Sequence, residues 1–471
     1  MSKKSRDLMN PGRRRALGRL GALSAGSLFS RLWMGDAIAA PASGYQALVC
    51  VFLYGGNDAN NMLIPITTNV ANSNYANYLS ARQPQSNGGV ALPQNTLLPI
   101  TDSRTQETYG LHPSLAALQP LYTQTNPVLA FQMNMGTLIE PITMSIYNSN
   151  ASANRAKVPV NLYSHSDQQN QQAASSILDL SNGWGGRIAD QLGAVGGVAP
   201  VGISIAGNAL FLKGARTSQV AVYSNGGLNV NGVFGTTVGE AQFQALLAAS
   251  GNGSTMISTL AGIQSNSITL SKVLNPILSG TAPSSVSSAF SPFSTGNSGF
   301  SQQLQAVARI IGSTALGSPT RQIFFVSLGS FDTHNSQIEQ QGPLLQQLSE
   351  GMAAFYQATV NLNVASQVTT FTLSDFARTL KPASGDGTDH AWGSHHMILG
   401  GAVKGGTNYG TFPSLALGGP DDTSNEGRWL PTTSLDQYGA TLGAWMGLNA
   451  AQLATVFPNL KNFSQTNVGF V

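Results

Sequence analysis

Six short apolar runs punctuate the chain, at 47–54, 128–132, 201–205, 322–328, 368–373 and 396–400. Nearly every position in them is aliphatic, β-branched or aromatic, with little polar alternation. That pattern predicts strands buried on both faces. Between the runs lie stretches with apolar residues at helical spacing, at 115–122, 240–249, 255–270, 302–311 and 343–360. Strands alternating with helices predict an α/β fold, a mostly parallel sheet with helices on both faces. Residues 280–300 are dominated by Ser, Gly, Thr and Pro and predict a surface loop. With the helical stretch before it, this segment reads as a cap or insertion at about 206–300. The Asn- and Gln-rich stretch 69–95 predicts an extended surface loop.

The first 39 residues break this pattern. A basic region through Lys3, Lys4, Arg6 and Arg13-Arg14-Arg15 precedes a weakly apolar stretch, 16–33. Ala37-Ile38-Ala39 then offers a small-x-small cleavage site. The order and the paired arginines predict a twin-arginine signal peptide at 1–39 and a mature domain at 40–471, passed through the twin-arginine translocase to the periplasm or beyond. The leader holds eight of the 23 basic residues and two of the 20 acidic ones. The remainder is therefore slightly acidic, which argues against nucleic acid as a partner. No later segment is apolar for long enough to span a bilayer. The single cysteine, Cys50, sits inside the first apolar run and predicts a buried strand residue.

Charged residues make up only 9% of the chain, so their clustering carries information. Tyr54-Gly55-Gly56-Asn57-Asp58 follows the first strand, and Phe331-Asp332-Thr333-His334 follows the fourth. Ser374-Asp375-Phe376-Ala377-Arg378 follows the fifth. Asp389-His390-Ala391-Trp392-Gly393-Ser394-His395-His396 leads into the sixth, and Ser164-His165-Ser166-Asp167 opens a helical pattern. Open α/β sheets bind ligands at the carboxyl ends of their strands. Asp and His gathered there suit Zn²⁺, Mn²⁺ or a related ion. His112, before an apolar helical pattern, reads as a local cap.

These motifs, with Gly183-Trp184-Gly185-Gly186-Arg187, resemble the bacterial family called domain of unknown function 1501. That family is similar to the alkaline-phosphatase-like superfamily of phosphatases, sulfatases and phosphodiesterases. The resemblance implies one or two divalent ions (Zn, Mn, Mg or Ca) held by Asp58, Asp332, His334, Asp375 and His395 or His396. It implies a nucleophile at a helix start, Ser166, with Ser164 and Asn57 as alternatives. Arg378 or Arg187 would clamp an anionic group. Where the superfamily has Asp-His, this chain has Asp375-Phe376, and His390 is the residue available to fill the gap. No Cys-x-Pro-x-Arg sulfatase signature is present.

The function expected from this combination is an exported metal-dependent hydrolase of small phosphate or sulfate esters. The alternative is a non-catalytic binding or assembly protein on a degenerate form of the same fold, with an envelope protein as partner.

Overall fold

The computed structural model describes residues 44–177, 179–193, 200–226, 237–250, 255–317 and 319–471. The expected leader, 1–39, lies outside the described residues.

The first apolar run forms β1 (Gln46–Leu53). A hairpin-like excursion follows, β2 (Leu63–Thr67), β3 (Leu98–Thr101) and β4 (Thr108–Leu111), which make a small antiparallel sheet in the order β2-β4-β3. The main sheet continues with β5 (Leu129–Gly136), β6 (Gly202–Ser204), β7 (Val220–Ala221), β8 (Arg321–Leu328), β9 (Val368–Ser374), β10 (Ser394–Gly400), β11 (Asn408–Tyr409) and β12 (Thr433–Ser434). Its order is β11-β5-β10-β9-β1-β8-β6-β7, with β12 also on β5. All six apolar runs are therefore strands of one sheet. β1 pairs in parallel with β8 and β9, while β10 runs antiparallel to both β9 and β5.

Side chains of β1 alternate between two cores, as period-two geometry requires. Ala47, Val49, Val51 and Leu53 join the helices Gly299–Ile311 and Gln337–Asn361 on one face. Leu48, Cys50 and Phe52 join Trp184, Phe211, Phe371 and the helix Leu435–Trp445 on the other. Cys50 is fully buried, and burial pushes its thiol pKa up.

Two loop readings and one helical reading need correction. The stretch 69–95 contains the helix Tyr75–Arg82, nucleated by Asn74, whose side chain accepts from Asn77 N at 3.0 Å. Arg82 at its end is buried and paired with Asp58, so this polar stretch is anchored in the core. The stretch 280–300 contains the helix Ser284–Phe290, whose Val286, Ala289 and Phe290 are buried. Serine content hid a short apolar face in this segment. The helical pattern at 115–122 resolves into a 3-10 turn, Pro113–Leu115, and a short helix, Gln119–Thr123. Within 206–300, the helices Thr237–Ser250 and Thr255–Ser279 pack on each other, and the second also packs on Gly299–Ile311. Among the described residues, no helix is long and apolar enough to cross a membrane.

The sheet order positions the site. β1, β8 and β9 are adjacent and parallel, and Leu53 is level with both Leu328 and Ser374. Their following loops therefore emerge side by side at one edge. Because β10 runs the other way, its preceding loop arrives at that same edge.

Candidate metal centre

Asp332 lies four residues beyond β8. The chain reaches it through Gly329 and Ser330, the latter at φ +76°, and Phe331 N donates to Tyr54 O at 3.1 Å. This brings the β1 loop hard against the β8 loop. A Cβ on Gly55 would lie 2.4 Å from Asp332 N, and Gly55 itself sits at φ +111°. No other residue type fits that position without moving the Asp332 backbone.

Beneath the Asp332 carboxylate lies Arg378, fully buried. Its Nε donates to Gly56 O (3.0 Å) and Phe331 O (3.1 Å), and its Nη2 to Gly55 O (3.2 Å). Nη1 donates to Thr388 O, and Nη2 also to Asp332 Oδ1. One guanidinium thus ties four loops together and fixes the carboxylate. Burial acts to raise the Asp332 pKa, but Arg378 and then His334, His165 and His390 outweigh it and hold the group below the usual range. Asp332 remains 44% exposed, so its charge faces solvent as well as the imidazoles.

Three imidazoles surround it. His165 is the first residue of the helix His165–Ala174. Its Nδ1 is 2.7 Å from Asp375 Oδ2, an oxygen that also accepts from Gln169 Nε2 at 2.8 Å, one helical turn on. Asp375 Oδ1 accepts from Gly55 N at 3.2 Å. His390 Nδ1 is 2.7 Å from Tyr163 O, a carbonyl presented by a residue at φ +76°. His334 Nδ1 is 3.2 Å from Asp389 Oδ1. Each Nδ1 faces an acceptor, which assigns its proton there and leaves Nε2 as a lone pair.

The three Nε2 atoms turn inward. His334 Nε2 is 3.0 Å from Asp332 Oδ1, and His390 Nε2 is 3.3 Å from the same oxygen. His165 Nε2 is 3.4 Å from Asp332 Oδ2, is sealed from solvent and has no hydrogen-bond partner. His334 Nε2 and His390 Nε2 are only 2.9 Å apart. Two lone pairs at that distance beside a carboxylate repel unless a proton or a cation lies among them. His390 resists the proton, because burial leads the causes that lower its pKa. A tetrahedral ion with bonds of about 2.0–2.1 Å spaces its donor atoms about 3.3–3.4 Å apart, close to the distances found. One ligand atom each from His165, Asp332 and His390 lies within 4.8 Å of the others. Carboxylate and carbonyl partners on the outer nitrogens are also what metal-binding histidines use to fix their tautomers.

Phe376 forms an apolar wall, with its ring centroid 4.8 Å from that of His165 and 4.5 Å from that of His390. The side chain that follows Asp375 thus packs against the imidazoles. His390 arrives from the loop before β10, held by the bridge between Arg378 and His390 and by Ala391 N donating to Ala377 O at 2.7 Å.

The other expected site residues fall elsewhere. Asp58 is buried on the Arg82 guanidinium, accepts from Gln337 Nε2, and caps Asn60 N at 3.0 Å, so its charge is already matched. Asp375 serves His165 and stands outside the inward-facing group. His395 is buried, accepts from Asn134 N at 3.0 Å and stacks on Phe412. His396 lies buried in β10 beside the Tyr438 ring. Burial lowers both of their pKa values to about 3, so both are neutral core histidines.

Arg378 is enclosed and offers no donor to solvent, so it fixes Asp332 and cannot clamp a ligand. Arg187 donates to Val456 O (2.8 Å), Asn182 O (2.9 Å) and Ala174 O (2.6 Å). It therefore fastens the far end of the helix that begins at His165. Asn57 is buried, while Ser166 is exposed in the first turn of that helix. Ser164 Oγ donates to Asp167 Oδ2 at 2.7 Å. His112 caps as expected, Nδ1 accepting from Ser114 N at 3.0 Å.

His165 is the member that sequence reasoning missed. Its signal lies in Ser164-His165-Ser166-Asp167, whose hydroxyls read as candidate nucleophiles. No curated protein shows significant similarity to the chain. The sequence model of the family described as "Protein of unknown function (DUF1501)" matches residues 45–426, most of the chain. The protein belongs to that family.

Proposed function

We propose that His165, His334, His390 and Asp332 hold one divalent ion and that the protein is a metal-dependent hydrolase of phosphate or sulfate esters. The observation that carries this reading is the convergence of three Nε2 lone pairs on one carboxylate, with every Nδ1 turned outward to an acceptor. An imidazole-rich donor set suits zinc or a neighbouring first-row ion better than Mg²⁺ or Ca²⁺, which favour oxygen.

A divalent ion bound there polarises an ester oxygen and lowers the pKa of a nearby hydroxyl or water. The chain's own residues do the rest. Asp375 and Gln169 hold His165, Arg378 holds Asp332, and Phe376 excludes water from the inner side of the imidazoles. Ser166 Oγ, exposed and next to His165 in the chain, is the hydroxyl we assign to the attack. Asp332 and His334, beyond the carboxyl end of the parallel strand β8, also favour an alkaline-phosphatase-like fold. We place the protein outside the cytoplasm, on the strength of the 1–39 leader pattern.

The test is elemental analysis of protein purified without added metal, with turnover of aryl esters measured over a Zn, Mn, Mg and Ca panel. The reading requires about one ion per chain, lost in His165→Ala and His334→Ala. Ser166→Ala should keep the ion and lose turnover. Metal-free wild-type protein that takes up no ion on titration would sink the proposal. For export, fractionation of cells with and without a working twin-arginine translocase should show the mature protein outside the cytoplasm only in the former.

A further inference from the structure

We infer that this site selects esters whose transferring group carries a single negative charge, phosphodiesters or sulfate monoesters, over the dianion of a phosphate monoester. The inference rests on the hydrolase reading above.

Charge balance carries it. Asp332 touches two imidazoles and faces the third, Asp375 touches His165, and Asp389 touches His334. Among the described residues, Arg378 is the one Lys or Arg side chain in an ion pair with these carboxylates. Three carboxylates against one guanidinium leave two negative charges, which a divalent ion just cancels. Asp167, in the first turn of the helix that starts at His165, adds a further negative charge and offsets the positive end of the helix dipole.

Among the described residues, neither of the two arginines seen at the site restores the balance. Sites for dianionic phosphoryl groups rely on Arg or Lys side chains with free donors aimed at the equatorial oxygens. Arg378 spends its donors on four carbonyls and Asp332 and is fully buried. The nearby Arg428 has two of its three nitrogens engaged and its charge paired. Its Nε donates to His390 O at 2.7 Å, its Nη2 pairs with Glu426 at 2.9 Å, and its face lies on the Tyr163 ring. A dianion therefore meets, among the described residues, a group with no net positive charge and no guanidinium whose charge is unpaired. A monoanion loses less solvation on entering it and meets less repulsion from Asp389 and Asp167.

Two probes that differ by one charge test this without turnover. Phenylphosphonate and its monomethyl ester are titrated calorimetrically into ion-loaded full-length protein at pH 8.5. The monoanionic methyl ester should bind about tenfold more tightly, the effect of one unit charge at about 6 Å and an effective dielectric constant near ~40. Asp389→Asn and Asp167→Asn should each shift the ratio several-fold toward the dianion. Turnover of bis(4-nitrophenyl) phosphate and of 4-nitrophenyl sulfate, each against 4-nitrophenyl phosphate, separates diester from sulfate ester. Equal or tighter binding of the dianion by ion-loaded protein overturns the selectivity and leaves the metal reading standing. Failure to load an ion overturns both.

Discussion

Replacing Asp375 with asparagine removes one charge and no volume, and it should cripple the centre without unfolding the protein. Asp375 accepts from Gly55 N with one oxygen and from His165 Nδ1 and Gln169 Nε2 with the other. An asparagine there has one oxygen and one NH2. In one orientation the NH2 opposes the Gly55 N–H; in the other it opposes His165 and Gln169. The second orientation drives the His165 proton from Nδ1 to Nε2, where it occupies the lone pair meant for the ion. A charge-assisted hydrogen bond contributes about 1.5–3 kcal/mol, so its loss weakens ion binding roughly 10- to 150-fold. That agrees with the ~10- to 100-fold cost of removing outer partners of metal ligands. The assay is competition for Zn²⁺ or Mn²⁺ against a chromophoric chelator, with circular dichroism confirming the fold. Variant protein that binds the ion within twofold of wild type would refute the claim that Asp375 sets the His165 tautomer.

Three further predictions rest on burial. His395 and His396 have folded pKa values near 3, below the ordinary 6.5, so the unfolded chain takes up protons first. Their stabilising contribution is full above about pH 6.5 and lost as pH falls toward 3, by up to about 3 kcal/mol each at pH 4; chemical denaturation from pH 7 to 4 checks it, and a His396→Gln variant should flatten the slope. Asp436 behaves in the opposite sense: burial raises its pKa to about 7, and its Oδ1 has no partner. Stability from this group is full below about pH 4 and falls as pH rises to 7, so Asp436→Asn should raise Tm at pH 8 more than at pH 5. Arg82→Met strands the Asp58 carboxylate in the core and should cost about 3–5 kcal/mol in urea unfolding, whereas Arg82→Met with Asp58→Leu should recover much of the loss.

Strands were the most legible part of the fold, because burial on both faces of a sheet leaves unbroken apolar runs that little else produces. Loops were least legible. Asn74 acts locally, as a cap on Asn77 N, and Arg82 acts through Asp58 in the core; polar composition alone shows neither. The candidate site was half legible. Asp332, His334 and His390 were found because strand-end Asp and His are scarce in this chain. Asp58, His395 and His396 share that chemistry, but burial commits them to a guanidinium, a backbone amide and the core. Sequence shows residue type and order; it does not show which carboxylate already has a cation. The reversed direction of β10 was also hidden, since an apolar run reads the same either way.

That reversal has a consequence for how the centre can vary. Asp332 follows the end of β8 and His165 opens one helix, and the sheet and the cores hold both in place. His390 hangs on a connecting segment whose other end is a strand entering from the opposite direction. The same segment holds the His334 loop, with Ser336 N donating to Gly385 O at 3.2 Å and Gln337 N to Asp386 O at 3.1 Å, so adding or deleting residues at 383–387 would displace His334 and His390 together. The spacing of the proposed ligands is thus adjustable through one connection, with the sheet left untouched.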